Sequence, residues 1–312
     1  MPRIVTVGVA QLGPIARNEP RTEVVKRLIA LMQQADRRGC TLLVYPELAL
    51  TTFFPRWLIE NQNEIDSFYE RQMPSTETQP LFDEAAKRGI GFHLGYGELC
   101  EEDGVTHHYN TAILVGPDGN LIGKYRKVHL PGHSEFEEEK QLQHLEKRYF
   151  EIGNYGFPVW RAYDGILGMC ICNDRRWPET YRVMGLQGVE LITLGYNTPA
   201  TSPDSPQVPD LQPFHNHLSM QAGAYQNGTW VAAAAKAGYE EGVHHIGGSC
   251  IISPTGQIMA QAVTVADELI TYDCDLDLCN HFKETTFNFA KHRRPEHYGL
   301  ITAQTGAIPP PK

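Results

Sequence analysis

Membrane-spanning runs are missing from this chain, and so is any excess of positive charge. No apolar stretch approaches the roughly 20 residues that a bilayer-crossing helix requires. Acidic residues outnumber basic ones by 37 to 27, and the formal charge of −10 argues against a nucleic-acid or anionic-membrane surface. Paired cysteines are lacking too. The seven present are odd in number and scattered, with no Cys-x-x-Cys, so reduced thiols are expected. Residues 1–7 run straight into a strand pattern without secretion-signal architecture, which leads us to expect a cytoplasmic protein.

What is present is ordinary globular material, 41% hydrophobic and 21% charged over 312 residues, enough for one large domain or two average ones. Period-2 and helical patterns alternate. Strands are expected at 4–11 and 41–45, a helix at 19–37 ended by Gly39, a helix at 81–88 closed by Gly89, then strands at 90–98 and 109–115. The order recurs: a strand ending at Cys172, a helix at 179–186, a strand at 191–194, a helix at 214–226 and a strand at 229–235. The hairpin Cys250-Ile251-Ile252-Ser253-Pro254-Thr255-Gly256 echoes Ile113-Leu114-Val115-Gly116-Pro117-Asp118-Gly119. Two β-α-β-α-β-β halves, with no linker between them, predict an α/β chain folded as one domain over 1–312. The proline-rich segment 199–213 reads as a loop able to act as a lid. The tail 275–312 reads either as packing on its own core or as an arm crossing to a second subunit.

The stretch Gly165-Ile166-Leu167-Gly168-Met169-Cys170-Ile171-Cys172 is short and apolar enough for a strand buried on both faces. It stops at Asn173-Asp174-Arg175-Arg176, and Trp177-Pro178-Glu179 opens a helix. Cys172 therefore lies where a strand hands over to a helix, among backbone N–H groups and beside two arginines, a setting that favours a thiolate. Cys170, in mid-strand, reads as structural. A cysteine nucleophile needs a base and a group to hold the oxyanion. Glu47 follows an apolar run at a strand end, although Pro-Glu also simply starts helices. Lys127 lies in the basic run Lys124-Tyr125-Arg126-Lys127, of which Lys124 and Arg126 read as a solvated strand face. His129, His133 and His144 raise a metal site. However, His-Leu-Pro-Gly-His crosses a turn and cannot set two imidazoles on one helical face, so no metal and no cofactor are expected.

Three blocks, Pro46-Glu47, Lys124-Tyr125-Arg126-Lys127-Val128-His129-Leu130 and Cys172-Asn173-Asp174-Arg175-Arg176-Trp177-Pro178-Glu179, resemble in order the signature blocks of the nitrilase superfamily of carbon–nitrogen hydrolases. The resemblance implies a four-layer α-β-β-α sandwich with internal pseudo-symmetry. It also implies a Glu47–Lys127–Cys172 triad working without cofactor. Within the superfamily the chain is most similar to N-carbamoyl-D-amino acid amidohydrolases, through stretches such as Glu47-Leu48-Ala49-Leu50-Thr51-Thr52-Phe53-Phe54-Pro55-Arg56-Trp57 and Gly195-Tyr196-Asn197-Thr198-Pro199. That implies hydrolysis of an N-carbamoyl-D-amino acid to the D-amino acid, carbon dioxide and ammonia through a thioester. The rivals are β-ureido acid, amide or nitrile substrates. Arg175 beside Arg176 offers a fork for a substrate carboxylate, or else a pair of structural ion pairs with Asp174 or Glu179. Asn173 and Asn197 are placed to hold the ureido or carboxylate group. His144 is expected beside the substrate, with Glu146 positioning Lys127 or the substrate. The expected partners are the small-molecule substrate and further copies of the chain, as a dimer or tetramer.

Overall fold

The computed structural model describes residues 2–140, 142–201 and 211–311. The first half runs β1 (Ile4–Gln11), α1 (Arg21–Arg37), β2 (Leu42–Val44), α2 (Gln62–Asp66), β3 (Tyr69–Glu70), α3 (Gln79–Arg88), β4 (Gly91–Glu102), β5 (Val105–Val115) and β6 (Leu121–Arg126). After α4 (Glu146–Tyr149) the second half runs β7 (Val159–Ala162), β8 (Gly165–Ile171), α5 (Pro178–Leu186), β9 (Leu191–Tyr196), α6 (Leu211–Asn227) and β10 (Trp230–Ala235). It continues through a hairpin of β11 (Ala237–Glu240) and β12 (Val243–Ile246), then β13 (Cys250–Ile252) and β14 (Ile258–Gln261). β15 (Glu268–Asp275) returns to the first half, and α7 (Leu278–Glu284), α8 (Phe289–His292) and α9 (Gly299–Ala303) follow.

The seven-stranded sheet is ordered β15-β1-β2-β4-β5-β6 with β3 beside β4, and the six-stranded sheet is ordered β14-β13-β10-β9-β8-β7. Both have a parallel trio (β1-β2-β4 and β8-β9-β10) flanked by an antiparallel strand on one side and an antiparallel pair on the other. The echoed hairpins share an irregularity as well, with the register shifting at Leu114/Val115 in one and at Ile251/Ile252 in the other. The internal repeat is therefore real at the level of topology.

Four layers result. Val24, Leu28, Leu31 and Met32 of α1, with Leu81 and Ala85 of α3, cover the outer face of the first sheet at Leu43, Phe92 and Leu94. The two inner sheet faces meet through Val7, Val44 and Leu114 against Leu167, Met169 and Leu191. Tyr181, Met184 and Met220 of α5 and α6 join the same cluster. Both crossing trios point their carboxyl ends the same way, since Leu12, just past β1, bridges in parallel to Lys236, just past β10. Functional groups collect beyond such ends.

Several expectations need revision. β7, β15 and the β11–β12 hairpin carry weak alternation that the sequence pattern does not announce. Residues 211–213, expected as loop, begin α6, and residues 202–210 of the lid segment lie outside the described residues. The tail packs on its own chain: Phe282 and Phe287 meet Tyr225 of α6, and Arg182 of α5 lies 4.2 Å over the Phe289 ring. Arg126 is not solvated. It is buried on Glu98 at 2.8 Å and stacked 3.9 Å over Tyr109, and Lys124 pairs with the same carboxylate. Among the described residues no helix is long and apolar enough to cross a membrane.

Candidate active site

Glu47 follows β2, and its main chain is threaded between the two sheets. A Cβ on Gly95 of β4 would come within 2.7 Å of Glu47 Cα, and one on Gly195 of β9 within 2.3 Å of Glu47 N. Glycine at both positions lets the chain pass, and Leu48 beyond it takes φ of +45°. Fully buried, the Glu47 carboxylate accepts at Oε1 from Lys127 Nζ at 2.7 Å and Asn110 Nδ2 at 2.8 Å, and at Oε2 from Asn197 N at 3.0 Å.

Lys127 follows β6, and its N–H donates to the Asn110 carbonyl at 2.8 Å. Its ammonium also reaches Glu146 Oε2 at 2.6 Å. Burial works against that charge, but the Cys172 sulfur, Glu146 and Glu47 more than offset it and hold Lys127 protonated above its usual range. Glu146, despite burial, is lowered chiefly by Lys127 and His144. His144 Nε2 lies 3.0 Å from Glu146 Oε1.

Cys172 ends β8 with φ of +47°, a left-handed turn that points a strand-end side chain out of the sheet. Asp174 sets this elbow. Its Oδ2 accepts from Ile171 N and the Tyr125 hydroxyl, and its Oδ1 from His129 N at 2.9 Å, so one carboxylate ties the cysteine turn to the segment carrying Lys127. The thiol is pushed up to about 11, first by burial and then by the Glu47 charge, and is neutral at rest. Cys170 is fully buried in the core, as expected of a structural residue.

A cavity of about 160 Å³ opens onto Cys172, lined also by Asn173, Asn197, His144, Arg176, Gln212 and Pro199. Asn197 Nδ2 donates to the Glu47 carbonyl at 3.1 Å, while its Oδ1 is buried with no donor among the described residues. Asn173 Nδ2 donates to the His129 carbonyl. Arg176 is exposed and touches only Gln212, at 3.3 Å, with no carboxylate partner among the described residues.

Arg175 requires a correction, because the geometry does not give it the substrate-facing fork. It is buried, with Nε on Asn216 at 2.9 Å, Nη1 on the Cys172 carbonyl at 2.5 Å and Nη2 on Thr198 at 2.8 Å, and it lies 4.6 Å over the Tyr196 ring. Neither Asp174 nor Glu179 pairs with it. It ties the elbow to β9 and α6. Glu146 likewise lies behind Lys127 rather than on the cavity wall. The three histidines diverge: His129 to Asp174, His133 to Gln143 and His144 to Glu146. Among the described residues no cluster of metal-ligating side chains forms. Asn110 was missed, since an asparagine inside a strand gives no signal beyond its polarity in an apolar run. A larger groove, about 680 Å³ and lined by Arg17, Arg21, Glu64 and Glu241, contains none of these groups.

A buried thiol, a carboxylate that accepts from three donors and a lysine pinned between two carboxylates can exchange a proton without changing the net charge of the cluster. That is the requirement for cysteine attack on an unactivated carbonyl carbon.

Known proteins agree. The carbon–nitrogen hydrolase family model matches residues 6–284. A nitrilase of Pyrococcus abyssi is 30% identical over 269 residues, covering 86% of this chain and 90% of that protein. An N-carbamoylputrescine amidase of Arabidopsis thaliana is 28% identical over 286 residues, covering 89% of each. Among solved structures, a carbon–nitrogen hydrolase of Helicobacter pylori G27 superposes with a TM-score of 0.82 at 22% identity, covering 97% of this chain and 99% of that one. With its two mixed sheets and its strand-end cysteine, this chain belongs to the carbon–nitrogen hydrolases of the nitrilase superfamily, which cleave non-peptide carbon–nitrogen bonds through an active-site cysteine.

Proposed function

We propose that the chain hydrolyses N-carbamoyl-D-amino acids. The observation that carries this reading is Arg176, a guanidinium on the wall of the Cys172 cavity with no carboxylate partner among the described residues. Such a group suits a substrate carboxylate, which it binds through two parallel charge-assisted bonds. Asn197 Oδ1, an acceptor without a donor, suits a ureido N–H. Cys172 Sγ attacks the ureido carbon while its proton passes to Glu47. Lys127 and the backbone N–H of Asn173 hold the oxyanion. One nitrogen leaves with the proton from Glu47, giving an acyl-sulfur intermediate. Glu47 then takes a proton from water, whose oxygen displaces the sulfur, and returns that proton to the departing thiolate, restoring both groups. The resulting carbamate falls apart to carbon dioxide and nitrogen base, so the sum is amino acid, carbon dioxide and ammonia. The D configuration is supported by the resemblance of residues 47–57 and 195–199. Ammonia release from paired N-carbamoyl-D- and L-amino acids tests it, and equal rates or preference for L would refute it.

A second reading, hydrolysis of a β-ureido acid, a simple amide or a nitrile, is favoured by the names of the relatives, a nitrilase and an N-carbamoylputrescine amidase. Preference for an acid over its uncharged amide separates the two readings. For assembly we propose a homo-oligomer, a dimer or tetramer. Leu211, Phe214 and Leu218 share one exposed face of α6, and Val183 and Leu186 are exposed on α5. Light scattering on the purified protein tests this.

A further inference from the structure

Beside the Cys172 cavity lies a crevice of about 10 Å³, sharing His144 and Pro199 with it and bounded also by Phe53, Arg56, Leu142, Gln143, Val243 and His245. It has room for one water-sized group. Its wall comes from β12. Val243 and His245 are two residues apart on that strand and face one side. On the other side His244 stacks at 4.7 Å on Tyr239, which is 72% exposed. The strand is fastened to the site: Ile246 N donates to the Thr198 carbonyl at 2.9 Å, and Ala200 N donates to the His244 carbonyl at 2.8 Å.

Arg56 Nη2 lies 2.9 Å from His245 Nε2. A guanidinium can only donate, so Nε2 accepts, and the proton of the neutral ring sits on Nδ1. Burial, the largest influence, pushes the imidazole down to about 3 despite the nearby Glu240 charge, so the ring is neutral in any ordinary buffer. Nδ1 is buried and has no hydrogen-bond partner among the described residues. An unmet donor is a cost that a ligand oxygen removes.

We infer that the crevice receives the tip of the substrate's side chain, and that His245 Nδ1–H donates to an oxygen there. This rests on the N-carbamoyl amino acid reading and narrows it to compact side chains ending in a hydroxyl or carbonyl oxygen. The volume excludes a bulky tip, and Arg56 and Gln143 beside Phe53, Leu142, Pro199 and Val243 leave the crevice suited to an oxygen acceptor.

The test compares kcat/KM for the N-carbamoyl derivatives of glycine and of two isosteric pairs, serine with 2-aminobutyrate and homoserine with norvaline. In at least one pair the oxygen-tipped member should lead by about 3- to 10-fold, the range of one hydrogen bond. His245→Phe should bring that ratio close to unity. His245 belongs to a buried ionic cluster, so a second variant is needed in case this one does not fold. Val243→Phe, which fills the crevice without removing a charge, should lower the ratio of the favoured substrate over the glycine derivative by about 10-fold or more. Turnover of the glycine derivative with no oxygen preference in the wild type, or with a ratio unmoved by Val243→Phe, overturns this inference alone. Hydrolysis of simple amides but of no N-carbamoyl amino acid defeats the reaction reading, and this inference with it.

Discussion

Among the described residues two lysine–glutamate clusters are buried, and only one borders a cysteine. In the first, Lys127 is pinned between Glu47 and Glu146, all three fully buried. In the second, Lys236 meets Glu240 Oε2 at 3.1 Å and the Thr51 carbonyl. Glu240 also accepts from Arg56, Phe53 N, Thr52 and Ile15 N. Every oxygen of the second cluster is spoken for, and no cysteine faces it. The first carries two carboxylates to one cation and borders a neutral thiol, so a proton has somewhere to go. Burying ions is therefore not what makes a site here. A nucleophile on a strained turn and an unfilled cavity make the difference. The two are mechanically joined, because residues 48–56 begin at Glu47 and end among the donors of Glu240.

The comparison breaks most sharply at Cys172. Cys172→Ala should lower turnover on the order of 10⁴-fold or more with melting temperature nearly unchanged, measured by ammonia release and calorimetry. Glu47→Gln and Lys127→Ala should each cost at least about 10²-fold in kcat. Glu240→Gln should behave oppositely. It removes the counter-charge of two buried cations and should destabilise by about 3–5 kcal/mol in urea titration. Its effect on kcat should be smaller than that of Glu47→Gln. If Glu240→Gln lost chemistry before stability, the division between the clusters would be wrong.

The two arginines sharpen the contrast at a smaller scale. Arg176→Ala should reduce the preference for an N-carbamoyl acid over its uncharged amide by roughly 10- to 10²-fold. Arg175→Gln should slow both substrates alike and leave the ratio unmoved, because its partners are protein atoms.

Acid stability gives the smallest effect. Against the penalty of burial, Lys236, His245 and Arg56 hold Glu240 down at about 2. A carboxylate depressed below its unfolded value near 4.3 stabilises the fold above that pH, and the contribution is lost as pH falls from about 4.3 toward 2. His245, held near 3 by burial against about 6.5 unfolded, likewise makes stability fall with pH between those values. Urea midpoints between pH 7 and 3 should decline, and Glu240→Gln should flatten the part below about 4.3.

Much of this was legible in the sequence, for physical reasons. Apolar spacing in α1 and α3 follows the face that covers a sheet, and the abrupt polar stop after Ile171 marks a strand end wherever it occurs. The repeat was visible because both halves use the same Gly-turned hairpins. What escaped depends on distant partners. Which of two adjacent arginines faces a cavity is decided by Asn216 and Thr198. Asn110 acquires meaning only when Glu47 arrives from 63 residues away in sequence. Glu240 and Lys236 look like ordinary surface charges until Arg56 and Thr51 close around them.

The most direct test of the account is to quench the enzyme during turnover of an N-carbamoyl amino acid and map the label by peptide mass spectrometry. The account predicts an acyl adduct on the peptide bearing Cys172, localised to that sulfur and not to Cys170, and absent in Cys172→Ala. An adduct on another residue, or full turnover by Cys172→Ala, would contradict it.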